Sequence, residues 1–231
     1  MSSSQKKGII VLGCHRSGTS AVTGLLELFG VHLGTDLIQP GADNPKGFFE
    51  HSKIVRLNDC FMDQLNIKWW QPVPTDYLES IMKEDKFSRL RVGYQDWLKQ
   101  IMKREVATHD IWAVKDPRMT RMMPLANPVF EECGGLIYLV VRRNEQDIIK
   151  SLARRHSCTE GEAEIVVDNY LDHLNYFVNN TNIENILNVD FDAWKSGKVS
   201  PQEDMKSLES MLGTFNKQPS DQQINKFLSL S

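Results

Sequence analysis

Cysteine is scarce and scattered. The four residues Cys14, Cys60, Cys133 and Cys158 form no CxxC pair and no Cys/His spacing suited to a metal. A disulfide framework is therefore not expected, and reduced thiols in a reducing compartment are. Long hydrophobic runs are also missing: none approaches the ~20 residues that span a bilayer. Residues 1–7 are polar and lack the apolar stretch of a signal peptide. A cytoplasmic protein with no membrane partner is the expectation. Nor is there an excess of positive charge, since 27 Lys and Arg stand against 30 Asp and Glu, a formal net charge of −3. That balance offers no field to draw in nucleic acid, so none is expected as a partner. Any anion the chain binds must be held by a local cluster. The sequence shows no repeat, no low-complexity tract and no linker. With 231 residues, 41% of them hydrophobic, the chain reads as one domain, residues 1–231, able to bury its own core.

Short β-branched apolar runs recur at residues 8–12, 112–114, 136–141 and 186–189, each reading as a buried strand. Helical periodicity lies between them. Val22, Leu25, Leu26 and Phe29 stand at i, i+3, i+4, i+7 before Gly30. Further helices are expected over 52–65, 76–104 (one long charged stretch), 145–155, the stripe Val167 to Val178, and 201–212. Asn144 is placed to cap the helix from Glu145, with Asp147 three residues on. Gly34, Pro40, Gly41, Pro45 and Gly47 mark a loop. Strands alternating with helices predict an α/β fold, a central parallel sheet flanked by helices in three layers, of the P-loop type.

The central feature is Gly13-Cys14-His15-Arg16-Ser17-Gly18-Thr19-Ser20. Its two glycines stand at the spacing of the phosphate-binding loop GxxxxGK[ST], after a strand and before an amphipathic helix. Such a loop turns successive backbone N–H groups toward an anion while the helix N-terminus adds partial positive charge. One position departs from the nucleotide triphosphatase pattern. Thr19 stands where the lysine belongs, and the cation is Arg16, inside the loop. The third strand ends in Arg142-Arg143 and not in a carboxylate that would help hold Mg²⁺. The loop therefore predicts an anion needing less neutralisation, and no metal.

Arg16-Ser17-Gly18-Thr19-Ser20 resembles the 5′-phosphosulfate loop of sulfotransferases that use 3′-phosphoadenosine 5′-phosphosulfate (PAPS). Their second signature, R-[N/D]-P-x-D-x-x-x-S, is matched by Arg143-Asn144-Glu145-Gln146-Asp147-Ile148-Ile149-Lys150-Ser151, with Glu145 in place of Pro. Glu145 would open a helix, where an acidic residue and Pro both suit. Residues 43–50 (Asp43-Asn44-Pro45-Lys46-Gly47-Phe48-Phe49-Glu50) and Lys115-Asp116-Pro117-Arg118 resemble segments of bacterial-type members, and Val189-Asp190-Phe191-Asp192 does so more weakly. A glycine- and Arg-rich C-terminal loop, present in many members, has only Trp194-Lys195-Ser196-Gly197-Lys198 as a poor counterpart.

The resemblance implies transfer of a sulfuryl group from PAPS to an acceptor hydroxyl or amine of a small molecule or glycan, leaving 3′-phosphoadenosine 5′-phosphate (PAP). It implies that Arg16 meets the 5′-phosphate and the bridging oxygen, that Ser17, Gly18, Thr19 and Ser20 complete the 5′ site, and that Arg143 and Ser151 hold the 3′-phosphate. The acceptor hydroxyl needs a base. Glu50, beyond a loop able to fold over the anion site, is the candidate, with His51 and His15 as alternatives; Lys115, just past a strand end, is a separate catalytic candidate that could bind donor or acceptor. Trp69 and Trp70 read as packing residues first and acceptor platforms second, and Arg154 and Arg155 as a solvated helix face, with Arg155 alternatively reaching the 3′-phosphate. Two other classes stay open, a P-loop kinase of a small metabolite and a catalytically silent nucleotide-binding protein. The first needs the missing lysine; the second would show no turnover.

Overall fold

Four strands, β1 (Lys7–Leu12), β2 (Ile111–Lys115), β3 (Gly135–Arg142) and β4 (Ile186–Asp190), form one parallel sheet in the order β2-β1-β3-β4. The computed structural model describes residues 6–42, 44–181 and 185–229; Asp43 of the sequence motif, and most of the polar start, lie outside the described residues. In the central register, Ile10 of β1 lies opposite Val114 of β2 and Tyr138 of β3. Alternate side chains leave opposite faces of a strand, and here both faces are apolar. Ile10, Leu12, Trp112, Val114, Tyr138 and Val140 point into one core; Ile9, Val11, Ala113, Ile137, Leu139 and Val141 point into the other. Helices cover each, so the three-layer α/β expectation holds.

The first core is closed by α2 (Ser52–Gln64), α3 (Tyr77–Lys83), α4 (Ser88–Ile101), α5 (Met119–Glu131) and the C-terminal half of α7 (Glu160–Asn180). The second is closed by α1 (Thr19–Leu28), α8 (Phe191–Ser196), α9 (Pro201–Leu212) and α10 (Asp221–Ser229). A third apolar cluster joins α6 (Glu145–His156) to the first half of α7 and takes in Cys14 of the glycine loop. Burial pushes the Cys14 thiol up to about 12, so this cysteine is a packing group that anchors the loop from below. No disulfide joins the four cysteines, and no helix among the described residues is long and apolar enough to cross a membrane.

One expectation needs correction. The charged stretch 76–104 is not one helix. It breaks at Glu84, whose backbone is extended (φ −87°, ψ 126°), passes through a 3₁₀ turn at Asp85–Phe87 and resumes as α4. Arg91 donates to the carbonyls of Ile81 and Met82 at 3.2 and 2.7 Å, meeting the orphan acceptors at the end of α3. No element is expected over residues 119–131, yet α5 forms there with Pro124 and Pro128 inside it. Each proline removes one i→i−4 bond. Burial of Met119, Met122, Met123, Leu125, Ala126, Val129 and Phe130 offsets that cost.

The connections place the site. The β1-to-β2 connection leads to one side of β1, whereas β2-to-β3 crosses back to the other, so the order reverses at β1. Open parallel sheets bind ligands outside the carboxyl ends of strands at such a reversal. Here those ends carry Gly13, Lys115 and Arg143.

Candidate functional site

The loop Gly13–Gly18 leaves β1 and delivers the chain to α1 through two left-handed residues, Arg16 (φ 68°) and Gly18 (φ 101°). Gly18 is the residue before the first helical turn, with no side-chain cap, so the first-turn N–H groups of α1 face the sheet edge as open donors. A Cβ on Gly18 would lie 2.4 Å from the Phe191 ring, which makes glycine obligatory there for space as well as for φ. Arg16 has a Cβ and pays for its left-handed backbone in strain; its carbonyl is held by Arg143 Nη1 at 3.0 Å. Arg16 Nε in turn donates to Ser151 Oγ at 3.0 Å. The two segments that the sequence singles out, 127 residues apart between Arg16 and Arg143, are therefore joined by direct hydrogen bonds. The Asn144 side chain accepts from Asp147 N, as its spacing predicts.

A second group gathers at the other flank of α1. Lys115, the last residue of β2, sends Nζ to Ser20 Oγ (3.0 Å), Phe48 O (3.1 Å) and Glu50 Oε1 (2.5 Å). Glu50 and Lys115 are 7% and 4% exposed, so this is a buried ion pair. Glu50 Oε2 lies 4.0 Å from Arg118, whose remaining charge is met by Asp116 (2.9 Å) and Asp59 (2.7 Å). Asp116 reaches further, accepting from Asn58 at 2.8 Å, and Asn58 accepts from Tyr94 at 2.8 Å. Burial, the largest influence, raises the Glu50 carboxyl, the Lys115 and Arg118 cations lower it, and Asp116 adds to the rise; the net direction is upward. The loop bearing Glu50 is tied to the C-terminal helix: Lys46 Nζ donates to Phe227 O, and Phe49 and Phe227 both close on Gly24 of α1.

The remaining candidates separate. Ser17 Oγ is turned inward, 1% exposed, under Gly13 and without a hydrogen-bond partner. Thr19 is buried at the start of α1. His51 is buried, with Nε2 3.4 Å from Glu105. His15 packs on Trp69 (ring centroids 4.6 Å) and meets the Tyr170 hydroxyl at 3.3 Å. Burial first, and then Arg118, Lys115, Arg121 and Arg155, hold its imidazole well below the ordinary histidine range. His15 is therefore expected to stay neutral: its ring-proton NMR shift, assigned with a His15→Ala variant, should show no titration step in the ordinary histidine range. A sigmoid there would contradict the cationic surroundings. Trp70 is half-exposed, and Trp69 also packs against His156, with the rings tilted by 52°. Arg154 and Arg155 are exposed, with Arg155 set 5.5 Å over the Phe48 ring.

Sequence reasoning missed Arg121. It is 2% exposed and lies 4.0 Å over the Tyr170 ring. Its guanidinium donates to Trp69 O (2.9 Å), Gln71 O (3.0 Å) and Asn169 Oδ1 (2.7 Å). Asn169 also clasps both backbone groups of Val73, and His173 Nε2 sits 3.1 Å from the same carbonyl. Thus α5 and α7 fix an irregular segment, residues 69–73, beside His15. The signal for Arg121 is its place on α5, which the two prolines conceal.

No protein-family model matches the sequence, and no curated protein does either. Among solved structures, the chain is similar to a sulfotransferase domain from the Synechococcus PCC 7002 olefin synthase, with a TM-score of 0.48 and 14% identity over 92% of this chain and 75% of that one. It is also similar to a sulfotransferase domain from the curacin biosynthetic pathway, with a TM-score of 0.44 and 16% identity over 97% of this chain and 78% of that one.

Proposed function

We propose that the protein is a PAPS-dependent sulfotransferase acting on a hydroxyl or amine of a small molecule or glycan. The observation that carries this is the meeting of both signatures at the uncapped start of α1, Arg16 on Ser151 and Arg143 on the Arg16 carbonyl. Three local features fit a bound nucleotide: the open first-turn N–H groups, the buried Ser17 Oγ without a partner, and the buried Arg143 Nε without a hydrogen bond. When bound, PAPS supplies an activated sulfuryl group. Arg16, the backbone of Gly18 and the hydroxyls of Thr19 and Ser20 would hold its 5′ end, Arg143 and Ser151 its 3′-phosphate. Arg16 would bring a positive charge to the point where negative charge develops.

Glu50 Oε2 is the carboxylate oxygen left free by the Lys115 bond, and it receives the acceptor's proton in this reading. Lys115 holds Glu50 against the start of α1 through Ser20 and Phe48. Calorimetric titration of metal-free protein is expected to show micromolar binding of PAP and weaker binding of adenosine 5′-phosphate. Tighter binding of adenosine triphosphate with Mg²⁺ would turn the reading toward a kinase. Nucleotide binding with no turnover on any acceptor screened would favour a silent nucleotide-binding protein.

A further inference from the structure

We infer that Asp192 is a specificity residue of the donor site, a fixed counter-charge on Arg143 that holds down the preference for a 3′-phosphate over a free 3′-hydroxyl. The inference rests on the donor reading above. A cleft of about 700 Å³ opens at the ends of β3 and β4, lined by Arg142, Arg143, Asn144, Asp147, Asp190 and Asp192. Two cations thus face three carboxylates, and Arg142 turns aside to Asn175 Oδ1 at 3.2 Å. Arg143 is left with one good hydrogen bond, from Nη1 to the Arg16 carbonyl. Its Nη2 lies 3.7 Å from Asp147 Oδ2 and its Nε 3.7 Å from Asp192 Oδ1. Both gaps exceed a hydrogen bond, and Nε is buried with no acceptor. A ligand oxygen placed there completes Arg143 and stands next to Asp192.

The three carboxylates differ in what they can do. Asp190 is committed as the cap of α8, accepting from Asp192 N and Ala193 N at 3.0 Å. Asp147 is half-exposed and screened by water. Asp192 is more enclosed, and its Oδ2 is pinned by the Asn144 N–H at 2.6 Å, so Oδ1 cannot swing away from Arg143. A phosphate dianion at Nε is repelled by that charge at close range. A ribose hydroxyl is not, since it can donate to a carboxylate. The side chain therefore lowers the affinity of one kind of nucleotide and spares the other.

The test titrates the unaltered protein and the Asp192→Asn variant with PAP and with adenosine 5′-phosphate, at low and at moderate salt. Asparagine keeps an oxygen for Asn144 N and removes only the charge; Asp192→Ser, checked by its melting temperature, repeats the test with a second side chain. The ratio of the two dissociation constants is expected to widen in favour of PAP by roughly tenfold at low salt, and less as salt screens the pair. The gain should come from tighter PAP, with adenosine 5′-phosphate unchanged or weaker. Asp147→Asn should move the ratio by only about twofold. An unchanged or narrower ratio in both Asp192 variants, with PAP still bound, overturns the role of Asp192 and leaves the donor reading standing. Failure of wild type and variants alike to bind either nucleotide overturns both.

Discussion

An Arg16→Ala variant should lose roughly 10²–10³-fold in the rate of sulfuryl transfer while its affinity for the donor falls much less, the size expected for a lost preorganised charge. The structure makes this a clean comparison. Alanine keeps the Cβ, so the left-handed backbone at φ 68° keeps its strain, and Arg143 still holds the carbonyl of residue 16. The bond from Nε to Ser151 is lost. Arg16→Lys restores the charge but not that planar donor, and should recover part of the rate. Single-turnover rates and donor dissociation constants, measured on the same preparations, separate the two roles. An affinity loss as large as the rate loss would assign Arg16 to ground-state binding.

Much of this site is legible because its parts are local. Gly13 and Gly18 follow an apolar strand and precede an i, i+3, i+4, i+7 stripe, and the structure sets a loop and α1 at those positions. Asn144 and Asp147 announce the start of α6 by a side-chain-to-backbone bond spanning three residues. What the sequence conceals depends on tertiary packing. Prolines 124 and 128 would ordinarily end a helix, yet α5 runs through both because nearly all its side chains are buried. With α5 unread, Arg121 has no face to lie on, and its grip on Trp69, Gln71 and Asn169 has no local trace. The break at Glu84 is equally hard to see, since Met82, Lys83, Glu84 and Lys86 are good helix formers and no Gly or Pro marks it. Asp192 looks like one acidic residue among many until β4 lays it beside Arg143. The sequence places Glu50 and Lys115 separately; their pairing is a contact across 65 residues.

That pairing governs the second large effect, expected from Glu50→Gln. As a base, Glu50 supplies a factor of about 10²–10⁴, and glutamine cannot take up a proton. Stability should fall little, because burial already makes the native state favour the uncharged carboxyl, which glutamine mimics, and Lys115 keeps its acceptors on Ser20 and Phe48. A large loss of rate with a nearly unchanged melting temperature is the expected result. A large fall in melting temperature with little loss of rate would make Glu50 a structural carboxylate and move the base elsewhere. The pH dependence gives an independent check. Burial raises the Glu50 carboxyl above its ordinary value, so the acid limb of the rate profile should lie above the usual carboxylate range and vanish in Glu50→Gln. The sign for stability is opposite to that of an ordinary salt-bridged carboxylate. The native state holds this proton more tightly than the unfolded chain, so the contribution of Glu50 falls as pH rises from the ordinary carboxylate value to the raised one. Chemical denaturation of wild type and Glu50→Gln across that window should show the difference between them shifting in the direction of the wild type's loss, while the wild-type rate climbs over the same interval. A carboxylate whose ionisation costs stability and whose ionised form speeds the reaction is one held in place for its chemistry and not for the fold.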